Sequence, residues 1–547
     1  MKNLVPLSLT LIASLRCSED AGVAVPRNIP VPSCPSREEA PLPDGRGGAT
    51  CLPVGADTVP ATRATPALDG APTPILHVLP GAAGGDGSEA RPFGSLPEAL
   101  SRLTAGGTLA LHRGEFRVDA ALTIPSGVTV VGVGPTAGTA LVVTRGHAGL
   151  VIAANVTVRD LALRYEDGVA RAEDAAMDVP TGTSLSLRNV LVEGAYEGLR
   201  VSGSVTAERL SVRRAARNGV ALVGAASGRF RGLLVRDGDH QGVFVGPQDG
   251  TTGPAGHVQI TDAAVLDNAL RGVVLLGAAA RGGGAAECTL DGPSSSSGDL
   301  DCLTRVSIER NGAQALGVQG ARAVQLRRVS LSGTRAVGTE PDADGLVVSD
   351  GARVTLDDPE SAMMSTPAAP RPGLGSIIVG NARVGVLADG AGADLSLSGA
   401  RVQSNRNAGV LVTGGANART IGYCRVDDNR AVGVGVTSTG TVVSIQCNGI
   451  TGTLAAPLTG SRPSLGDGLS ITRGGAGVVI ADNEMTGNDR FGAVLSAANG
   501  TFHHNRGSDN LYAIGVYDSP MLTVIDNDTL TGRAPAPATA PALAGSP

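Results

Sequence analysis

Along most of the chain, apolar residues fall on every second position of short segments that end in Gly, Asn or Asp. One unit recurs: a Gly followed by two alternating apolar positions. It appears as Glu197-Gly198-Leu199-Arg200-Val201, Asn218-Gly219-Val220-Ala221-Leu222, Gln241-Gly242-Val243-Phe244-Val245 and Arg271-Gly272-Val273-Val274-Leu275. Later copies start at Gly317, Gly345, Gly385, Gly409, Gly433, Gly468, Gly492 and Gly515. Close neighbours lie 21 to 24 residues apart, and the longer gaps hold insertions: a Ser loop after Cys288, Pro359 to Pro372, and Pro457 to Leu465.

Period-2 apolar segments predict strands whose alternate residues point inward. A repeat in the low twenties, with turn residues inside each unit, predicts a β-solenoid. Each coil holds three short strands and their turns, and successive coils stack in parallel about 4.8 Å apart. The expected fold is all-β: a single right-handed parallel β-helix of about a dozen or more coils.

Asn recurs next to the repeat at Asn218, Asn268, Asn311, Asn405, Asn407, Asn429 and Asn488. Asn tolerates the left-handed backbone of a tight turn, and stacked amides form a ladder. Late in the chain the register puts Asn448, Asn483, Asn505 and Asn527 in one column. It also places Cys424 one coil before Cys447, near disulfide distance.

Composition narrows the core. Hydrophobic residues make up 42% of the 547 residues, yet there are 78 Gly, 6 Phe, 5 Tyr and no Trp. Such an interior is filled by small aliphatics, as a narrow solenoid requires. The net charge is −6 and Lys2 is the sole lysine. No basic patch with interleaved aromatics occurs, so no nucleic-acid partner is expected. No apolar run has the length of a membrane span.

The N-terminus predicts export. Lys2 precedes the apolar run Leu4 to Leu15, the pattern of a signal peptide over 1–17. Cys17 resembles the lipid-modified cysteine of bacterial lipoproteins, although Arg16 stands where a small residue is usual; simple export is the alternative. Residues 18–75 are Pro/Ala/Gly-rich and read as an irregular linker, 76–532 as the β-helix, and 533–547 as a disordered Pro/Ala tail. The expected location is extracytoplasmic, secreted or anchored at the cell surface or outer membrane, with a membrane contact only through the lipid anchor. Six further cysteines fall in local pairs, Cys34/Cys51, Cys288/Cys302 and Cys424/Cys447. These predict disulfides and an oxidising compartment.

The segment His77-Val78-Leu79-Pro80-Gly81 through Gly84-Gly85-Asp86-Gly87, Pro92-Phe93 and Leu96-Pro97-Glu98-Ala99-Leu100 resembles the opening of the DUF1565-type, pectate-lyase-like β-helix proteins. Gly107 to Leu111, Gly114 to Val118 and Leu122 to Gly132 resemble their first coils. The resemblance covers roughly residues 75 to 532. It implies the fold and leaves open lyases, hydrolases, epimerases, adhesins and inert surface proteins. Ser95-Leu96-Pro97-Glu98 is also a capping box. It predicts a short helix whose Leu96, Ala99, Leu100 and Leu103 cover the open end of the first coil.

Candidate chemistry is sparse. The paired aspartates and Gly-His-Gly of polygalacturonan hydrolases are absent, as is the epimerase-type Asp-Pro-His-Glu. Asp237, Asp239 and His240 offer an acid/base or calcium site at one turn, or simply a solvated turn. Asp482, His504 and Asp526 fall in one column, where two carboxylates flanking an imidazole raise its pKa or bind a metal. Strict alternation turns His503 to the opposite side. Glu193, Arg213, Arg236 and Asp267 are expected as an outer charged column. No cofactor is expected, apart from calcium if the protein is a lyase. The favoured reading is a non-catalytic scaffold or adhesin that meets extracellular polysaccharide or envelope components. The alternative is a lyase, hydrolase or epimerase acting on an acidic glycan in a groove along the helix.

Overall fold

The computed structural model describes residues 34–538 apart from 37–38, 44–48, 58–63, 137, 145, 167–174, 248–253, 280–287, 290–291, 294–299, 339–341, 358–374, 438–440, 457–464, 473–476 and 528. The signal segment with Cys17, the insertions at 359–372 and 457–464, the serine run and the end of the tail lie outside the described residues.

The alternating segments form strands on three parallel faces. The first sheet starts with Ile75–Val78 on Thr108–Leu111 and ends with Gly500–His503 on Leu522–Ile525. The second starts with Gly114–Val118 on Thr139–Val143 and reaches Glu484–Thr486. The third has 16 strands, from Leu122–Ile124 to Leu530–Ala534. Like stacks on like: Val386, Val410, Val434, Leu469, Ala493 and Ile514 are successive direct partners. The repeat glycines share one line for a steric reason, except Gly317 and Gly515, which pair with Val274 and Val494 and so sit two residues past it. A Cβ on Gly409 would lie 2.6 Å from the Gly433 carbonyl oxygen, and one on Gly433 would lie 2.6 Å from that of Gly468.

Two corners give the coil its section. Between the first and second sheets, one residue per coil takes a left-handed backbone: Asp160, Asn189, Arg209, Asp262, Arg305, Arg328, Tyr423, Cys447, Asp482, His504 and Asp526. Between the second and third sheets the same part falls to Arg214, Asp237, Asp267, Arg310, Ser404 and Asp428. The next residue turns inward, and there the asparagines sit. The ladder asparagines are therefore the buried residues after the left-handed position; Asn189 is itself left-handed.

Both corners carry an amide ladder. At the first, Asn448 donates Nδ2 to Asn483 Oδ1 at 2.9 Å, Asn483 to Asn505 at 2.9 Å and Asn505 to Asn527 at 3.1 Å. At the second, Asn268 donates to Asn311, Asn405 to Asn429 and Asn488 to Asn510, each at 2.9 Å, and Asn381 donates to Asn405 at 3.0 Å. The same oxygens accept backbone N–H groups of the preceding coil. The polar groups that a turn leaves inside the core are thus satisfied. Asn218 is off the ladder and donates to Glu197; Asn407 is off it as well.

Cys34 and Cys51 form a disulfide, as do Cys288 and Cys302. The expected Cys424–Cys447 pair does not form. Cys424 is a free, buried thiol, while Cys447 is held in a disulfide with another partner. The reason is register. Gly422 pairs with Gln446 and Arg425 with Gly449, so Cys447 stacks on Tyr423 and Cys424 on Asn448. A slip of one residue sends the two sulfurs to opposite sides of the wall.

The single helix among the described residues, Leu96–Arg102, is capped by Ser95, whose hydroxyl accepts the Glu98 N–H at 3.4 Å. Leu96, Ala99 and Leu103 are buried in the main core and close its first coil. Described parts of 18–75 are packed. Glu39–Pro43 and Ala49–Pro53 pair antiparallel. Leu42 and Val54 cover Leu234, Ala264 and Leu266 on the outside of the second sheet. Further along, the Ala56 N–H donates to Ser211 Oγ, and Arg159 donates to the Ala67 carbonyl. In the 533–547 region, Arg533 and Ala534 belong to the last strand and Tyr517 donates to the Pro537 carbonyl.

Candidate functional site

The corner geometry assembles the first predicted column. Asp482, His504 and Asp526 occupy the same left-handed position on successive coils. Asp482 Oδ1 lies 3.9 Å from His504 Nδ1, and Asp526 Oδ2 lies 3.6 Å from His504 Nε2. The cluster is solvated, with the Asp526 side chain 71% exposed. His503 is not turned away. Its Nδ1 lies 3.0 Å from Nδ1 of His504. The left-handed residue breaks strand alternation and brings neighbouring side chains to one side.

Asp237, Asp239 and His240 sit at the second corner. Asp237 is its left-handed residue, with its carboxylate 3.4 Å from Arg236 Nη1. Asp239 is exposed and His240 is partly buried. Glu193, Arg213 and Arg236 do stack, but Arg236 pairs in register with Leu266. Asp267 falls one residue later, on the corner, where Arg310 binds it through Nε and Nη2. The expected four-residue column is corrected to three.

One concavity among the described residues was not legible in the sequence. It is a groove of 590 Å³ on the outer face of the third sheet. Its floor is aliphatic: Val274, Gly317, Val347 and Leu387 are successive cross-coil partners. Gly317 deepens the floor by lacking a side chain. One rim carries Arg271, Gln314, Asp342 and Arg383, and the other carries Gln319, Ser349, Asp350, Asp389 and Thr413.

Most groove carboxylates are already engaged. Arg383 binds Asp342 at 3.0 Å and holds Asp344 through Nε at 2.8 Å. Burial pushes the Asp344 carboxyl up, and Arg383 pulls it back. Asp350 accepts from Gln319 Nε2 at 2.5 Å. Arg271 differs from these. Its Nε is shielded from solvent and has no hydrogen-bond partner among the described residues. Gln241, its register partner on the preceding coil, is 8% exposed and its Oε1 also has no hydrogen-bond partner among the described residues. A periodicity reading sees Arg271 and Gln241 only as the polar residues beside a repeat glycine.

Elsewhere, buried charges serve the fold. Arg322 and Asp301 are both fully buried, with Arg322 Nη2 at 2.6 Å from Asp301 Oδ2. Arg322 also donates to the carbonyls of Leu276 and Gly256. Among the described residues, one group of three metal-ligating side chains brings all its donor atoms together: Cys34, Glu39 and Cys51. Its thiols are already joined in a disulfide.

Residues 384–535 match the family model described as the right handed beta helix region. No curated protein matches the chain. Among solved structures, the chain is similar to the A-module of the mannuronan C-5 epimerase AlgE4 of Azotobacter vinelandii. The identity is 12%, the match covers 81% of this chain and 93% of that one, and the TM-score is 0.34. The A-module of AlgE6 from the same organism gives 13%, 81%, 93% and 0.36. The catalytic domain of a GH87 α-1,3-glucanase in complex with nigerose gives 11%, 90%, 71% and 0.31. These likenesses concern the fold alone. By its own register and the matched region, the chain is a right-handed parallel β-helix protein.

Proposed function

We propose that this chain is an exported, non-catalytic β-helix protein that holds an extended polysaccharide along the outer face of its third sheet. The observation that carries this reading is the groove: an aliphatic floor, polar rims and an Arg271 whose Nε has no hydrogen-bond partner among the described residues. Repeating coils present repeating contacts, which suits a polymer better than a small molecule. Two disulfides support an oxidising, extracytoplasmic setting. General acid–base chemistry needs a group within hydrogen-bond reach of substrate. Asp342, Asp344 and Asp350 are occupied by Arg383 and Gln319, and Asp344 is sealed from solvent, which leaves Asp389 as the one remaining rim carboxylate.

The test is incubation with a panel of neutral and uronic-acid polymers, with and without calcium. The expected result is binding with chain length unchanged and no unsaturated ends. New reducing or unsaturated ends, lost in Asp482→Ala or Asp239→Ala, would instead establish the enzyme reading.

A further inference from the structure

We infer that His503 and His504 form a two-nitrogen seat for a borderline divalent transition cation, with Cu2+ bound most tightly. The two Nδ1 atoms lie 3.0 Å apart, and the rings meet edge to face at 80°. With metal–nitrogen bonds of about 2.0–2.1 Å, that separation subtends roughly 90–100° at the ion. This is an ordinary angle for square-planar or tetrahedral coordination. A cation therefore enters between the rings without movement of the backbone.

The tautomer is arranged for it. Asp526 Oδ2 lies 3.6 Å from His504 Nε2, so a proton on that nitrogen faces a carboxylate and leaves the Nδ1 lone pair for an ion shared with His503. A carboxylate behind a ligating imidazole orients the ring and raises its basicity. Asp482 Oδ1 lies 3.9 Å from the same Nδ1. It adds negative potential beside the pair. With no ion present, two imidazole nitrogens this close must share a proton.

The backbone is pinned. The His504 N–H donates to the Asp526 carbonyl at 3.0 Å. Asn505, the next residue, donates Nδ2 to the His503 carbonyl at 3.0 Å and to Asn527 Oδ1 at 3.1 Å. Nitrogen donors on a rigid frame favour Cu2+ over Ni2+ and Zn2+ by the usual affinity order, while calcium prefers an all-oxygen set.

The experiment uses the full chain with CuCl2, read by calorimetry and by electron paramagnetic resonance. His504→Asn keeps a residue that tolerates the left-handed backbone, and His503→Gln keeps a polar strand residue, so both variants should fold; thermal melting checks this. Wild type should bind one Cu2+ that shows two imidazole nitrogens. Each His variant should weaken binding at least tenfold, and Asp526→Asn should weaken it about tenfold. Unchanged affinity in His504→Asn, or a signal from fewer than two imidazole nitrogens, would overturn the assignment.

Discussion

Asn448 Oδ1 accepts the backbone N–H of Cys424 at 3.0 Å, so Cys424 stacks on an asparagine and not on Cys447. Cys424 is the rung at which the inner corner column changes from aliphatic to amide: Ala400 precedes it and Asn448, Asn483 and Asn505 follow. Burial pushes its thiol up to about 12, and an uncharged, buried thiol is a poor nucleophile. Cys424 is thus expected to resist thiol reagents in the native protein and to react once unfolded. Rapid native labelling at Cys424, mapped by mass spectrometry, would contradict this register.

The ladders make a second prediction. Asn405→Ala removes the acceptor for both the N–H and the side-chain amide of Asn381, and the donor to Asn429. Buried donors left without partners cost about 1–3 kcal/mol each. A loss of about 3 kcal/mol in denaturant unfolding is expected. Asn405→Thr should cost less, because a threonine already serves as a rung at Thr334, whose hydroxyl donates to Asn381 Oδ1 at 3.0 Å. Equal losses would mean that the amide itself is unimportant.

The Asp301–Arg322 pair predicts a non-additive cycle. Asp301 sits in an inward column between Val258 and Val324. Arg322→Leu leaves a carboxylate buried without its counter-ion and should cost about 3–5 kcal/mol. The double variant with Asp301→Val should recover part of that loss, because it restores the aliphatic column. Additive losses would rule out a coupled pair.

The N-terminal coil predicts acid sensitivity. His77 and His112 are buried side by side, 3.1 Å apart. Burial lowers both pKa values, and His77 lowers that of His112 further. A histidine with a lowered folded pKa stabilises the fold above its unfolded value. That stability is lost as pH falls below about 6.5 toward the folded pKa. Buried Asp427 and Asp467, raised by desolvation, act in the opposite sense, so a difference is the proper readout. The melting temperature of wild type should fall more between pH 7.5 and 5.5 than that of His112→Gln. Parallel curves would contradict the assignment.

Period and glycine spacing made the coils, the capping helix, two disulfides and the late asparagine column legible. Each follows from local spacing in the chain. What spacing could not settle was phase. One residue in a left-handed corner decides whether Cys424 faces Cys447 or Asn448, whether His503 joins His504, and whether Asp267 follows Arg236. The groove was hidden for a different reason. It is lined by residues from five coils, Arg271 to Gly414, and no short segment contains more than a few of them.

The account depends most on the third-sheet groove as a polymer site, and the direct measurement is titration of wild type and Leu387→Glu with the polysaccharide retained best in the panel. Leu387 lies on the outer face with 7% exposure, packed with Val384, Ala408 and Leu411, so the charge enters the groove floor and costs some stability while the inner core is left in place. A loss of at least tenfold in affinity, measured well below the melting transition of the variant, is the expected result. Equal affinity for the two proteins would contradict the proposed site.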